Sequence, residues 1–261
     1  MDRNTAVVGD VVICCAMLSR MAIRPRTDVL KRHAVAVAQD IVGRALPDAE
    51  RWTKASLIRC RGPWCLRCGH SAQRHIPITD GCPHCHENQG VLDGVCRVGS
   101  YQDGCAGLVL ALKFRRWWEL SRPLGQRLAW TLRAQCGAER VAQSVVVPVP
   151  MPLIRRWKRG IDHAAILARE VAQAADASFY RALWRRGGSG QAGASRSARQ
   201  RASARGWHLH LRARARLGGR NVILVDDVLT TGRTARIAGG LLRQAGASTI
   251  TVAVIAVADR T

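Results

Sequence analysis

The stretch Asn221 to Thr234, NVILVDDVLTTGRT, holds residue types whose order can do chemistry on a sugar phosphate. Its apolar run Val222-Ile223-Leu224-Val225 predicts a central strand covered on both faces, which sets Asp226 and Asp227 at the carboxyl end, where ligands of open α/β sheets gather. Two adjacent carboxylates can accept hydrogen bonds from a vicinal diol. Thr230, Thr231, Gly232, Arg233 and Thr234 then supply hydroxyl donors, a glycine that lets backbone approach an anion, and N–H groups at the start of a helix, where the macrodipole favours phosphate. A lone Asp-Asp or Thr-Thr-Gly reads as a solvated strand-turn-helix. The complete string fits both ends of a ribose 5-phosphate.

A second constellation is Cys65-Leu-Arg-Cys68 with Cys82-Pro-His-Cys85, separated by residues 69–81, which include Gly69, Pro77 and Gly81. Two such knuckles can fold back to place four thiolates around one Zn²⁺, and the metal then supplies the folding energy that so short a segment lacks as a core. Four cysteines leave no open position for water or substrate, so the expected role is structural. His70, His75, His84 and His86 lie nearby and read individually as surface histidines. Cys14 and Cys15 carry no metal spacing, and Cys60 and Cys96, which flank the module, are assigned no role. The alternative for the four ribbon cysteines is a set of free thiols.

A third candidate is the turn after Ser144-Val-Val-Val147, a β-branched strand expected to stop at Pro148. Stiff Pro148-Val-Pro-Met-Pro152 leads into Arg155, Arg156, Lys158 and Arg159 before Gly160 and a helix that Asp162 can cap. Four cations on a rigid turn at a strand's carboxyl end suit a pyrophosphate, because guanidinium pairs bidentately with phosphate oxygens. Charge runs are usually solvated, which is the competing reading. Lys113 is a further candidate for the same anionic site.

The rest of the chain must position these groups. Residues 1–26 show no periodicity, and Asp28 to Leu46 predicts a helix. The ribbon is expected over 57–92. Gly94 to Tyr101 predicts a short strand, with Asp103 as cap of a helix through Leu108 to Phe114 and a second helix over Trp117 to Cys136. Gly187 to Arg205, rich in Arg, Ser, Gly and Ala, reads as a mobile flap. Beyond the ligand loop, Thr234 to Gln244 predicts a helix packing through Ala235, Ile237, Ala238, Leu241 and Leu242. Gly246 ends that helix, and a continuous apolar strand follows from Thr249 to Val257. Strands alternating with helices point to a mostly parallel α/β sheet.

The formal net charge is +23 and the pI about 11.3, nearly all of it from arginine, which favours polyanionic partners. With 2 Tyr and 2 Phe beside 8 Trp, the sequence shows no aromatic ladder of the kind that stacks successive bases. The longest apolar run, Val11 to Leu18, is too short for a membrane span and lacks a clear cleavage site. No membrane insertion and a cytoplasmic location are the expectation, and paired cysteines fit a reducing compartment.

The string at Asp226 to Thr234 resembles the 5-phosphoribosyl 1-pyrophosphate (PRPP) motif of type I phosphoribosyltransferases. Taken with the cysteine pairs, Leu112-Lys-Phe114, Val147-Pro-Val-Pro150, Arg159-Gly160, Gln191 and Arg199 in that order, the chain is similar to the ComF family from about Cys65 onward. The resemblance implies a type I phosphoribosyltransferase-like, Rossmann-like domain over 93–261, a small zinc ribbon over 57–92 and an N-terminal arm and helix over 1–56. It implies PRPP as ligand, held by Asp226, Asp227, Thr230, Thr231, Gly232 and Thr234, with Asp226 and Asp227 catalytic. Arg155, Arg156, Arg159, Gly160 and Lys113 are implied at the pyrophosphate, Mg²⁺ on PRPP, and structural Zn²⁺ on Cys65, Cys68, Cys82 and Cys85. The activity implied is displacement of pyrophosphate by an acceptor the sequence does not identify, in a setting of competence and DNA utilisation. The alternative is a non-catalytic PRPP-binding module that engages single-stranded DNA or DNA-uptake machinery. Three departures bear on turnover and metal count. The family's Arg-Gly-Phe-Asn-Gln stands here as Arg159-Gly-Ile-Asp-His163, the usual Asn after Arg199 is Ala202, and no second C-x-x-C pair precedes Cys65.

Overall fold

A computed structural model describes residues 63–72, 81–88, 90–114, 117–152, 161–186 and 206–259. All of them fall within one compact unit, Ala49–Thr261. The expected helix over Asp28 to Leu46, the basic turn at Arg155 to Gly160 and the flap over Gly187 to Arg205 lie outside the described residues.

Five strands form one parallel sheet among the described residues: β1 (Gly94–Ser100), β2 (Val145–Pro148), β3 (Ser178–Phe179), β6 (Asn221–Leu229) and β7 (Thr249–Val257), in the order β1-β7-β6-β2-β3. The two longest strands occupy the interior and pair over their whole length, from Asn221 with Thr249 to Leu229 with Val257. Their side chains alternate between two apolar layers, as the twofold period of a strand requires. Ile223, Val225, Ala253 and Ile255 face one layer, with Leu108 and Leu112 of α1 (Ala106–Phe114), Leu124, Leu128 and Leu132 of α2 (Ser121–Cys136) and Leu167 and Val171 of α4 (His163–Ala175). The short α3 (Ala138–Ala142) leads from α2 to β2. Val222, Leu224, Val252 and Val254 face the other layer, with Leu217 of α5 (Ala213–Leu217), Ala238 and Leu242 of α6 (Arg233–Gln244), and an antiparallel hairpin of β4 (Leu183–Arg185) and β5 (Trp207–Leu209). Burial on both faces explains why β6 and β7 read as unbroken apolar runs.

One local expectation changes, at the start of the first helix. A π turn, Tyr101–Cys105, precedes α1, and Ser100 rather than Asp103 caps the helical run, its side chain accepting from the Gln102 N–H. The strand at Val145 ends at Pro148, as expected, with Pro148 in register with Val225, and the Val149 N–H donates to the Val225 carbonyl at 2.8 Å. Pro148 is tolerated because it is the last residue of β2. β6 runs on to Leu229, so Asp226 and Asp227 lie within its last residues, at its carboxyl end. Nothing in the sequence signals the hairpin, since three-residue strands on either side of a polar segment give no periodic pattern.

Candidate functional site

Neighbouring residues on a strand project to opposite sides, and Asp226 and Asp227 meet different surroundings. Asp227 is reached from α1, where the Lys113 ammonium sits 2.9 Å from its carboxylate. Both side chains of this pair are largely shielded from solvent. Asp226 turns an oxygen back to accept from the Asp227 N–H at 2.8 Å. Burial first, and then the adjacent Asp227 charge, push the Asp226 carboxyl up to about 8, and the closer N–H and the Lys113 cation only partly oppose this.

The chain then turns through exposed Thr230 and Thr231 into α6. Gly232 is the N-cap and takes φ +68°, a left-handed conformation in which any Cβ is strained. No side chain caps this helix, and its first turn has no acidic residue. Arg233 and Arg236 stand there instead, against the macrodipole's preference. The Arg236 guanidinium donates to the Thr231 carbonyl at 3.0 Å, and the Arg233 N–H approaches Thr231 Oγ1 at 3.5 Å. Thr234 is half-buried in the first turn. Arg236 carries no signal in the sequence, because it lies beyond the motif and its role as a brace for the loop needs the helix to bring it back over Thr231. Asp226, Asp227, Thr230, Thr231, Gly232, Thr234 and Lys113 are thus brought to one end of the sheet.

Asp162 behaves differently from a carboxylate beside an anion site. It caps α4 by accepting from the Ala165 N–H at 3.2 Å, and its second oxygen meets Arg181 at 3.4 Å. The neighbouring His163 is buried as the first residue of α4.

The four cysteines converge. Their sulfurs all lie within 4.8 Å of one another, with Cys65 to Cys85 at 3.4 Å, Cys68 to Cys82 at 3.2 Å and Cys82 to Cys85 at 3.9 Å. Two thiolates on one tetrahedral ion at about 2.3 Å would sit roughly 3.8 Å apart, so the cluster fits a single metal ion. Backbone geometry prepares the ligands. Burial raises the Cys65 thiol, but N–H groups of Cys68 and Arg67 outweigh it and bring the value down to about 7. Cys68 is pushed strongly upward by burial and by Cys82, which is the repulsion that a shared cation would relieve.

The ribbon is fastened to the sheet by groups that carry no motif of their own. The Val95 N–H donates to the Leu66 carbonyl at 2.8 Å, and buried Arg97 of β1 donates to Ser71 Oγ at 2.8 Å. Arg97 also lies 3.5 Å from Asp259 and 5.7 Å from the centre of the Trp64 ring. Asp259 accepts from the Ser71 N–H, from Ser71 Oγ and from Ser100 Oγ at 2.6–2.8 Å. Its own burial opposes ionisation, yet Ser100, Ser71 and Arg97 together hold the carboxyl below the usual range.

With this fold and site, the chain belongs to the phosphoribosyl transferase domain family, whose model matches residues 127–261. Competence protein F of Haemophilus influenzae is 27% identical over 196 residues, covering 73% of this chain and 82% of that protein. DNA utilization protein YhgH of Salmonella typhimurium is 28% identical over 211 residues, covering 76% of this chain and 86% of that protein. These relatives and the four-cysteine cluster bear out the ComF-type joining of a cysteine module to a phosphoribosyl transferase domain. A solved structure, TT1426 from Thermus thermophilus, is 22% identical with a TM-score of 0.33, covering 51% of this chain and 72% of its own; a likeness that weak carries no argument. No helix among the described residues is long and apolar enough to cross a membrane.

Proposed function

We propose that this protein binds PRPP and displaces its pyrophosphate with an acceptor nucleophile, in a cytoplasmic role tied to DNA utilisation. The supporting observation is the convergence of Asp226, Asp227 and Lys113 with the Thr230 to Thr234 turn at the carboxyl end of β6. Asp226 and Asp227 would hold the ribose diol by accepting hydrogen bonds from its hydroxyls. The turn, with hydroxyls of Thr230, Thr231 and Thr234 and amides at the start of α6, would hold the 5-phosphate. Lys113, Arg155, Arg156, Arg159 and the Gly160 backbone would face the pyrophosphate.

In the displacement, the bond between the anomeric carbon and the pyrophosphate oxygen lengthens before the new bond forms, leaving oxocarbenium character on the sugar. Asp226 and Asp227 would lie near that developing positive charge, and the arginines would take up the negative charge leaving with pyrophosphate. Mg²⁺ would supply charge neutralisation on the pyrophosphate oxygens, and the hard carboxylate and phosphate oxygens of such a site fit it. Structural Zn²⁺ is the ion proposed for Cys65, Cys68, Cys82 and Cys85. The domain division proposed is an arm and helix over 1–56, a ribbon over 57–92 and the transferase-like domain over 93–261. The names of the relatives support the DNA setting, with single-stranded DNA or uptake machinery as partner.

The test is calorimetry with PRPP and Mg²⁺, followed by pyrophosphate release with candidate nucleobases and amines. Binding with release supports a transferase; binding without release leaves a PRPP-binding module. The double variant Asp226→Asn, Asp227→Asn should lose PRPP binding while keeping its fold and metal content. Retained binding would overturn the ribose assignment.

A further inference from the structure

The β4–β5 hairpin has two unlike faces. Its register sets Leu183 against Leu209, Trp184 against His208 and Arg185 against Trp207. Alternation sends Leu183 and Trp207 inward, where both are buried, with Leu209 packed against the same layer. Docking of the hairpin is achieved by that face. The opposite face carries a large aromatic surface with no part in the core: Trp184 keeps 36% exposure, and its ring stacks on His208 with centroids 4.2 Å apart and planes inclined by 22°.

Beyond β5 the chain continues through exposed His210, fully exposed Leu211 and exposed Arg212 into α5. There Ala213 and Leu217, one turn apart, are buried, while Arg214 and Arg216 are exposed. Arg186, next after β4, is exposed as well. From Ala177 to Val225 the sequence contains no Asp or Glu, so no carboxylate on these elements offsets the arginines. A half-exposed ring stack, with exposed guanidinium groups close to it in the chain, suits a ligand that is both planar and polyanionic. An acidic peptide would use the cations and leave the rings idle, and a second copy of this face would meet like charge. Duplex DNA keeps its bases stacked on each other, whereas an unpaired base is available to lie on an aromatic ring.

We propose that the outer face of this hairpin, with Arg212, Arg214 and Arg216 of the following segment, binds single-stranded nucleic acid, a base stacking on Trp184 and phosphates pairing with the arginines. The assignment deepens the DNA side of the reading above and rests on it for the class of partner only. The sequence shows no aromatic ladder, and the platform is legible only once β4 and β5 pair.

The experiment is fluorescence anisotropy of a labelled single-stranded thymidine oligonucleotide and of the matching duplex, titrated with the full chain across a salt series. Single-strand binding should be the tighter. Trp184→Ala should weaken it by about tenfold or more, within what removing one stacking aromatic costs, and Trp184→Phe should recover most of that loss. The variant Arg212→Ser, Arg214→Ser, Arg216→Ser should flatten the plot of log affinity against log salt by about 2, at roughly 0.7 for each phosphate no longer neutralised. PRPP binding should be unchanged in both variants, which separates failure of this surface from failure of the sugar-phosphate site. Unaltered oligonucleotide affinity in the arginine variant, equal affinity for duplex, or a Trp184→Ala variant that changes only self-association would each overturn the proposal.

Discussion

The segment bearing Cys65, Cys68, Cys82 and Cys85 and the sheet built on β6 and β7 are folded by different forces. Among the described residues around the cysteines, the buried apolar cluster consists of Cys65, Cys68 and Cys82, with Cys85 packed against them. In the sheet, by contrast, Leu224, Val225, Ile250, Val252 and Ile255 are fully enclosed between two helical layers. A region without a core depends on what its polar ligands close around, and a region with one depends on area removed from water. Their junction uses both: Gly69 lies against Val95 and Val257 of the sheet, while Arg97 and Asp259 tie Ser71 down by charge and hydrogen bonds.

Breaking the first region should produce the largest effect. Metal analysis of the purified protein should give one zinc per chain, and Cys68→Ser should abolish it. A structural zinc contributes on the order of 10 kcal/mol to such segments, so protease should then cut residues 63–88 rapidly while the sheet keeps its cooperative unfolding. Global unfolding on loss of the metal would refute the division. Next in size is the converse, Leu224→Ala, which should lower stability to urea by about 2–5 kcal/mol with zinc content unchanged before the transition.

The junction tests whether the two regions are coupled. Gly69 has φ +78°, and a Cβ there would lie 2.6 Å from Val95 Cγ1, whereas Gly90 has φ +92° with nothing within 4 Å. Gly69→Ala should therefore cost about 1–3 kcal/mol, and more than Gly90→Ala, which carries backbone strain alone. Equal losses would show that the ribbon does not bear on the sheet.

The smallest effect concerns the sheet's own polar end. Asp226 has a folded-state value near 8 against an ordinary 3.8, so between these limits the native state binds more protons than the unfolded chain. Stability contributed by this residue accordingly falls as pH rises from about 4 to 8. Asp226→Asn should flatten that part of the profile and leave the ligand-free protein more stable than wild type at pH 8. Parallel profiles of variant and wild type would contradict the assignment of the proton to Asp226.

Much of the sheet could be read from the chain because its signals are local. Val222 to Val225 and Thr249 to Val257 are apolar on both faces, Asp162 stands one residue before its helix, and the two C-x-x-C pairs state their own chemistry. The hydroxyl-rich turn with its glycine at positive φ is also local, since Gly232 is required there by backbone sterics alone. What the sequence could not supply were relations between distant residues. That Lys113 would pair with Asp227 beside the raised carboxyl of Asp226 depends on α1 crossing the end of β6. The clasp of Arg97, Ser71 and Asp259 joins three parts of the chain, and the Trp184–His208 stack exists only through the hairpin register. Composition and spacing thus determined which groups are present and which local turn each favours. Only the tertiary structure decided which charges face each other, because electrostatic and stacking energies depend on distances of a few ångströms that sequence separation does not encode.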